Sequence, residues 1–155
     1  MFVDIVSSTE HVAEMRDRQW VGVRGRFFEL LRKELTNFGG REIDTTGDGM
    51  LAIFDHPGAA IRSAFSMSAG AQNLGLQMRA GIHTGECEII ENDIAGIAVH
   101  IGARVASCAG ANEVVVSSTV RDLMTGGDIR FTELGTQVLK GIPGEWTLYT
   151  VERPE

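Results

Sequence analysis

The spacing of apolar residues changes several times along the chain between patterns typical of strands and of helices. Residues 1–6 form an apolar run that predicts a buried strand. Residues 7–38 have helical spacing, which ends at Gly39 and Gly40, so we expect one long helical layer after the first strand. The large residues that recur on one face of this segment are Phe27, Leu31, Leu35 and Phe38.

The next segment predicts a hairpin. Residues 41–46 and 50–55 are short strand-like runs, and Gly47-Asp48-Gly49 joins them. Asp-Gly between two such runs is a strong hairpin signal. We therefore expect Asp48 at the tip of the hairpin.

The second half of the chain alternates again, and its apolar pattern gives the following elements. A helix, a strand and a small-residue helix are predicted over 57–72, 76–88 and 99–109, and three more strands over 113–117, 129–134 and 146–151. In the first of these helices Ile61 and Phe65 should face inward. The order strand, helix, strand, strand, helix, strand predicts an α+β fold with a ferredoxin-like βαββαβ core and C-terminal additions. In that topology Asp4 and Asp48 approach each other at neighbouring strand ends.

Composition and charge indicate a single domain and argue against several classes of function. A chain of 155 residues with 43% apolar residues and no Pro/Ser-rich linker predicts a single domain over 1–155. Its net charge of -7 argues against nonspecific nucleic-acid binding. Cys87 and Cys108 have no ligand spacing, so we expect reduced thiols in a cytoplasmic protein, without a disulfide or a zinc site.

We expect no membrane insertion of this domain. No apolar stretch is long enough to span a bilayer, and no basic region precedes a signal-like segment. The chain opens directly on a strand, which suggests a fragment of a longer protein, in which an attached membrane segment stays open.

The first ten residues carry candidate chemistry. Asp4 interrupts the apolar run, and Ser7-Ser-Thr-Glu10 spells a capping box, which would place phosphate-attracting N–H groups beside a carboxylate. Carboxylates at strand ends can hold divalent metal, so a metal site next to an anion site suggests a nucleotide ligand. In the ordinary alternative Asp48 is only a turn residue and Asp4 a helix-flanking acid.

Five motifs in order, over nearly the whole chain, carry a resemblance to a known family. They are Phe2–Thr9, Thr45–Met50, Arg79–Gly85, His100–Arg104 and Leu139–Gly141. Together they resemble the signatures of a class III nucleotidyl cyclase catalytic domain, in the bacterial branch where His replaces the usual Asn before the arginine. Such domains make a cyclic nucleotide when the substrate's 3′-hydroxyl attacks its own α-phosphate and pyrophosphate leaves.

The resemblance implies a role for each matching residue. Asp4 and Asp48 match the aspartates that bind two metal ions, Mg²⁺ or Mn²⁺, and Ile5 is a further metal-contacting position. Arg104 matches the arginine that stabilises charge at the α-phosphate, with His100 one helical turn before it. The remaining substrate-binding positions are Arg79, Lys140, Ser7, Ser8 and Thr9. Outside this context each would be an ordinary surface or turn residue.

The positions that select the base are mixed. In the family an adenine-reading Lys and Asp occupy the positions of Asp44 and Asp93. Asp93 can accept from an amine, whereas Asp44 would repel adenine N1 and suits guanine. We favour ATP, because this branch is chiefly associated with adenylyl cyclases; GTP use, or a slow or nearly inactive domain, stays open.

The resemblance also implies a homodimer with active sites at its interface. One subunit would provide Asp4, Asp48 and Arg79, and the other would provide Asp44, Asp93, His100, Arg104 and Lys140. No Walker motif and no nucleophile motif occurs, which disfavours those enzyme classes. A noncatalytic nucleotide-binding or dimerisation module is the more serious rival, and only Asp44 favours it.

Overall fold

The computed structural model describes residues 1–154, which form nine strands and five helices. The strands are β1 (Phe2–Ile5), β2 (Arg41–Thr46), β3 (Gly49–Ile53), β4 (Met78–Ile82), β5 (Glu88–Ile90), β6 (Asp93–Ala95), β7 (Val114–Ser117), β8 (Phe131–Gln137) and β9 (Trp146–Val151). The helices are α1 (Ser8–Glu14), α2 (Asp17–Phe38), α3 (Pro57–Asn73), α4 (Ile97–Ser107) and α5 (Ser118–Leu123). None of the helices in this described part is long and apolar enough to cross a membrane.

Seven strands form one sheet in the order β2-β3-β1-β4-β7-β9-β8. Strand β1 runs antiparallel to both β3 and β4, which is the arrangement of the ferredoxin-like core. Strand β7 adds in parallel to β4, and β9 and β8 continue antiparallel. The predicted α+β fold with a ferredoxin-like core and C-terminal additions is therefore confirmed. Strands β5 and β6 form a separate hairpin.

Helices α2 and α3 pack against each other and cover one face of the sheet. The predicted inward residues Phe27, Leu31 and Ile61 are fully buried in this core. Phe38 and Phe65 are only half-buried, and Phe65 packs against this core.

Helix α4 packs on the opposite face, where it seals a second apolar cluster with β7 and β9. Gly81 allows this close approach, since a Cβ there would lie 2.1 Å from the backbone nitrogen of Ala106. Side chains alternate between the faces of a strand. Val3 and Ile5 belong to the first core, so Asp4 is directed to the face that carries α4.

Both edge strands of the sheet are irregular. The register of β2 shifts between Glu42 and Asp44, and that of β8 shifts between Glu133 and Gly135. Such bulges bend an edge and interrupt its ladder of hydrogen bonds.

The predicted single helix over 7–38 is wrong, because the chain breaks at Met15 and Arg16. Both residues have extended backbone, and the N–H groups of Gln19 and Trp20 start a new helix on the carbonyl of Arg16. Helix α1 buries none of its residues, whereas α2 is anchored in the core from Trp20 onward. The break lets the His11 ring stack on Trp20, with the ring centroids 5.9 Å apart.

The predicted strand over 76–88 is also wrong beyond Ile82. The chain leaves the sheet there, and residues 88–95 form the β5–β6 hairpin, which turns at Glu91 in the left-handed region (φ 56°). Helix α5 was not predicted. The hairpin strand 50–55 lies at Gly49–Ile53, and the late strand 129–134 lies at Phe131–Gln137.

Candidate active site

Strand pairing brings Asp4 and Asp48 together, as predicted. Asp4 lies opposite Gly49 in the β1–β3 ladder, and the N–H of Ile5 donates to the Asp48 carbonyl at 3.3 Å. Asp4, Ile5, Ser8 and Asp48 line one cleft of about 440 Å³, which the end of α4 closes at Ser107. The cleft therefore holds two carboxylates beside the start of α1.

Arg79 binds the first carboxylate through two hydrogen bonds. Its Nε donates to Asp4 Oδ1 at 2.7 Å and its Nη2 to Asp4 Oδ2 at 3.2 Å. The bond to Asp4 raises the pKa of Arg79. A longer contact of 3.4 Å joins Arg79 Nη1 to the carbonyl of Ser107, so this residue connects β4, β1 and the end of α4.

Arg24 binds the second carboxylate, and the sequence did not predict this residue. Its Nε donates to Asp48 Oδ1 at 3.0 Å, and its Nη2 donates to the carbonyl of Gly47. The guanidinium also lies 4.9 Å from the centroid of the Phe28 ring, one turn further along α2. Only the spacing of Arg24 and Phe28 is visible in the sequence; the contact with the hairpin tip depends on the tertiary fold.

The two carboxylates fit a divalent cation. Their side chains are 39% and 29% exposed, face one cleft and offer the hard oxygen donors that Mg²⁺ and Mn²⁺ prefer. Within residues 1–154 no group of three or more His, Cys, Asp or Glu side chains could hold a metal ion. Backbone and substrate oxygens would have to complete the coordination.

The predicted capping box does not form at α1. Ser7 has left-handed backbone (φ 58°, ψ 36°), and its side chain makes no capping hydrogen bond. Instead the N–H groups of Glu10 and His11 donate to the carbonyl of Ser7. Ser8 lines the cleft, whereas Ser7 and Thr9 are exposed beside it.

Three predicted site residues lie outside the lining of this cleft. His100 and Arg104 are exposed on α4, one turn apart as expected. Lys140 is exposed in the loop between β8 and β9, where the buried side chains of Leu139 and Ile142 hold it outward.

The two predicted base-reading residues lie on neighbouring strands. Asp44 is on β2 and Asp93 begins β6, and these two strands contact each other. Both residues are exposed. The Asp44 carboxylate accepts from the N–H of Thr45, and the Asp93 carboxylate from that of Ile94, each at 2.8 Å. These local bonds leave further lone pairs on each carboxylate for a ligand.

A second cavity of about 330 Å³ lies near the start of β1 and contains none of the predicted site residues. Among its lining is His83, whose Nδ1 lies 2.6 Å from Ser117 Oγ and whose ring packs edge-on against Trp146. Burial lowers the pKa of His83, which favours the neutral imidazole. These contacts are those of a half-buried structural histidine.

The thiols are free, as predicted. Cys87 is exposed, and Cys108 is partly buried, with its Sγ 3.2 Å from Gln137 Oε1. Burial raises the pKa of Cys108, which favours the protonated thiol.

Comparison with known proteins identifies relatives along the whole domain. The family model of the adenylate and guanylate cyclase catalytic domain matches residues 1–153. The fold resembles the adenylyl cyclase CyaB from P. aeruginosa, with a TM-score of 0.89, 21% identity, and coverage of 99% of this chain and 92% of that chain. An adenylate/guanylate cyclase/hydrolase from Silicibacter pomeroyi is 27% identical, with a TM-score of 0.78 and coverage of 99% and 96%.

A further similar structure is the guanylate cyclase domain of RhGC from Catenaria anguillulae in complex with GTP. Its TM-score is 0.84 at 17% identity, over 99% of this chain and 94% of that chain. Among curated proteins, the uncharacterized protein Rv0891c of Mycobacterium tuberculosis is 26% identical over 154 residues. That match covers 96% of this chain and 53% of the relative, so the chain spans about half the length of such relatives.

Proposed function

The chain belongs to the adenylate and guanylate cyclase catalytic-domain family, and we propose that it converts a nucleoside triphosphate, preferably ATP, to the 3′,5′-cyclic monophosphate and pyrophosphate. One observation carries this proposal. Asp4 and Asp48, forty-four positions apart in sequence, line one cleft at neighbouring strands. Retention of both carboxylates is what a metal-dependent cyclase requires and a purely structural domain does not.

Asp4 and Asp48 would hold two divalent ions, Mg²⁺ or Mn²⁺. Ile5 would add its carbonyl oxygen, since this residue also lines the cleft between the two aspartates. When bound, such ions make the 3′-oxygen more nucleophilic and neutralise charge on the triphosphate. The protein's own part is to hold these oxygens in fixed positions on two paired strands.

The reaction forms a bond between the 3′-oxygen and the α-phosphorus and breaks the bond from that phosphorus to the bridging oxygen of pyrophosphate. The 3′-hydroxyl proton is released, and pyrophosphate takes the bonding electrons. Such chemistry needs positioning and charge stabilisation more than covalent help. Arg104 would stabilise the charge at the α-phosphate, with His100 beside it on α4.

The remaining substrate contacts follow from charge and position. Lys140 and Arg79 would bind phosphate oxygens, and residues 7–9 would approach the triphosphate at the start of α1. Arg79 is held by Asp4 in the structure, so it would share its donors between that carboxylate and the phosphates.

We propose a homodimer in which each active site uses both subunits. Within one chain Asp4 and Asp48 line the cleft, and Arg79 is bound to Asp4. The other predicted charged residues, His100, Arg104 and Lys140, are exposed and lie outside the lining. A second copy would bring its exposed set to the cleft of the first. An isologous interface then creates two equivalent sites.

Base preference depends on two carboxylates. Asp93 can accept a hydrogen bond from the amino group of adenine, which supports ATP. Asp44 can accept from N1–H and N2–H of guanine, which supports GTP as the second candidate. Because Asp44 makes only a local bond to Thr45, its carboxylate is available to oppose adenine N1. A noncatalytic nucleotide-binding module is the other rival.

The direct test is cyclic-nucleotide formation by the purified domain with Mn²⁺ and either ATP or GTP, at concentrations that populate a dimer. We expect cyclic AMP as the main product, and loss of at least about 100-fold in rate for Asp48→Asn, because it removes metal-binding charge. Asp122→Asn is the matched control, since Asp122 is an exposed aspartate that is also paired with an arginine. Nucleotide binding without product would favour the noncatalytic module.

A further inference from the structure

We propose that Arg24 competes with divalent metal for Asp48 and thereby sets the metal concentration at which the site fills. This inference rests on the proposed metal-binding function of Asp48. Arg24 lies outside the five cyclase-like motifs, on the second helix of the fold.

The contact is directed at the metal-binding carboxylate. Arg24 makes two donor contacts with the hairpin tip, to Asp48 Oδ1 at 3.0 Å and to the carbonyl of Gly47. The side chains are 40% and 29% exposed, so both an ion and solvent can reach the pair. An exposed pair of this kind is weak enough to be opened by a ligand.

The guanidinium and a divalent ion are both positively charged, so they cannot bind Asp48 at the same time. In the metal-free domain the charge of Arg24 balances that of Asp48. A divalent cation that takes Asp48 Oδ1 as a ligand would lie within a few ångströms of the guanidinium that donates to the same oxygen, and there like charges repel strongly. Filling the site then requires the guanidinium to leave Asp48.

The released guanidinium would keep a second contact, with the ring of Phe28. Arg24 already lies 4.9 Å from the centroid of the Phe28 ring, a contact that does not involve Asp48. A cation over an aromatic face retains favourable interaction at an exposed site. Opening the Arg24–Asp48 pair therefore does not require Arg24 to lose all of its partners.

The test is Mn²⁺ binding to the purified protein, measured without nucleotide by electron paramagnetic resonance and by calorimetry. The Arg24→Gln substitution should tighten Mn²⁺ binding about three- to tenfold, because it removes a weak competing ion pair and a repelling charge. Arg24→Lys, which keeps the charge, should change affinity less. Arg32→Gln is the matched control: Arg32 lies on the same helix near the same ring, but it pairs with Glu42.

The outcomes separate this inference from the proposed function. Asp48→Asn should weaken Mn²⁺ binding; if it does not, the metal assignment and the competition both fall. If Asp48→Asn weakens binding but Arg24→Gln leaves it unchanged, only the competition is overturned. Weaker binding in Arg24→Gln, with an unaltered thermal unfolding curve, would show that Arg24 positions Asp48 for the ion and would also overturn the competition.

Discussion

Asp4 and Arg79 face each other directly across β1 and β4, at the same position of the antiparallel ladder. A cross-strand pair of opposite charges contributes about 0.2–1 kcal/mol. Their side chains are 39% and 32% exposed, so solvent screening places this pair at the low end of that range. Such a pair adds little to stability, which agrees with the metal-binding role proposed for Asp4.

At the same scale, the proposed position of Asp44 beside the base gives a prediction about the choice of nucleotide. We predict that Asp44→Lys raises the ratio of ATP to GTP turnover about tenfold or more, because a cationic donor replaces a carboxylate that would repel adenine N1. The ratio is measured from initial rates of cyclic AMP and cyclic GMP formation. Glu133→Lys, which makes the same charge change on the opposite edge strand, should leave the ratio unaltered. An unchanged ratio in Asp44→Lys would show that Asp44 does not face the base.

The sequence could predict site residues only where a motif or a strand pattern marks them. Asp4 and Asp48 were singled out because a carboxylate in an apolar run and an Asp-Gly turn are visible locally, and their predicted proximity is what the structure confirms. Arg24 was missed, because its partner lies twenty-four residues away at a hairpin tip and helical spacing shows only its neighbour Phe28. Ser7 was mistaken for a side-chain cap, since sequence does not reveal its left-handed backbone.

At the scale of elements, long segments with a buried face were predicted well and exposed ones poorly. Helix α3 buries an apolar face and strand β9 gives apolar side chains to both clusters, and their predicted bounds agree with the structure within a residue. Helix α1 and the hairpin strand β5 bury no residues, so hydrophobic periodicity carries little information about them. The break between α1 and α2 and the hairpin after β4 depend on tertiary contacts.

At this scale, we predict that the glycine at the end of α2 stabilises the helix through its backbone conformation. Gly39 has left-handed backbone (φ +71°) and its N–H donates to the carbonyl of Leu35. Gly39→Ala should lower the free energy of unfolding by about 1 kcal/mol, because alanine disfavours this conformation. Gly25→Ala, within α2 and with no atom near its added Cβ, should instead raise stability by about 0.5–1 kcal/mol. Urea unfolding measures both, and equal effects would contradict the capping role.

At the scale of the whole molecule, the proposed division of the active site between two subunits predicts complementation between inactive variants. Asp48→Asn changes a residue of the cleft in its own subunit. Arg104→Ala changes one of the exposed residues that this subunit would supply to the cleft of its partner. On random mixing half of the dimers are hybrids, and each hybrid keeps one intact site of two, so roughly a quarter of wild-type activity should return. Cyclic-nucleotide formation after mixing and re-equilibration measures it.

The control for that experiment mixes two variants that both change a residue of the cleft. Asp4→Asn with Asp48→Asn leaves every site of a hybrid damaged, so no activity should return. Recovery in this control, or none in the first mixture despite proven hybrid dimers, would contradict a site shared between subunits.

The irregular edge strands constrain how copies of this domain can meet. A regular edge strand presents unpaired N–H and C=O groups. A strand of a second chain can form hydrogen bonds with them, and such pairing leads to aggregation. The bulges in β2 and β8 interrupt that row of groups at each end of the sheet, and charged residues such as Glu42 and Glu133 lie beside them. These irregular edges therefore make it harder for two copies to join their sheets into one continuous sheet, and they protect the domain from growing into a fibril.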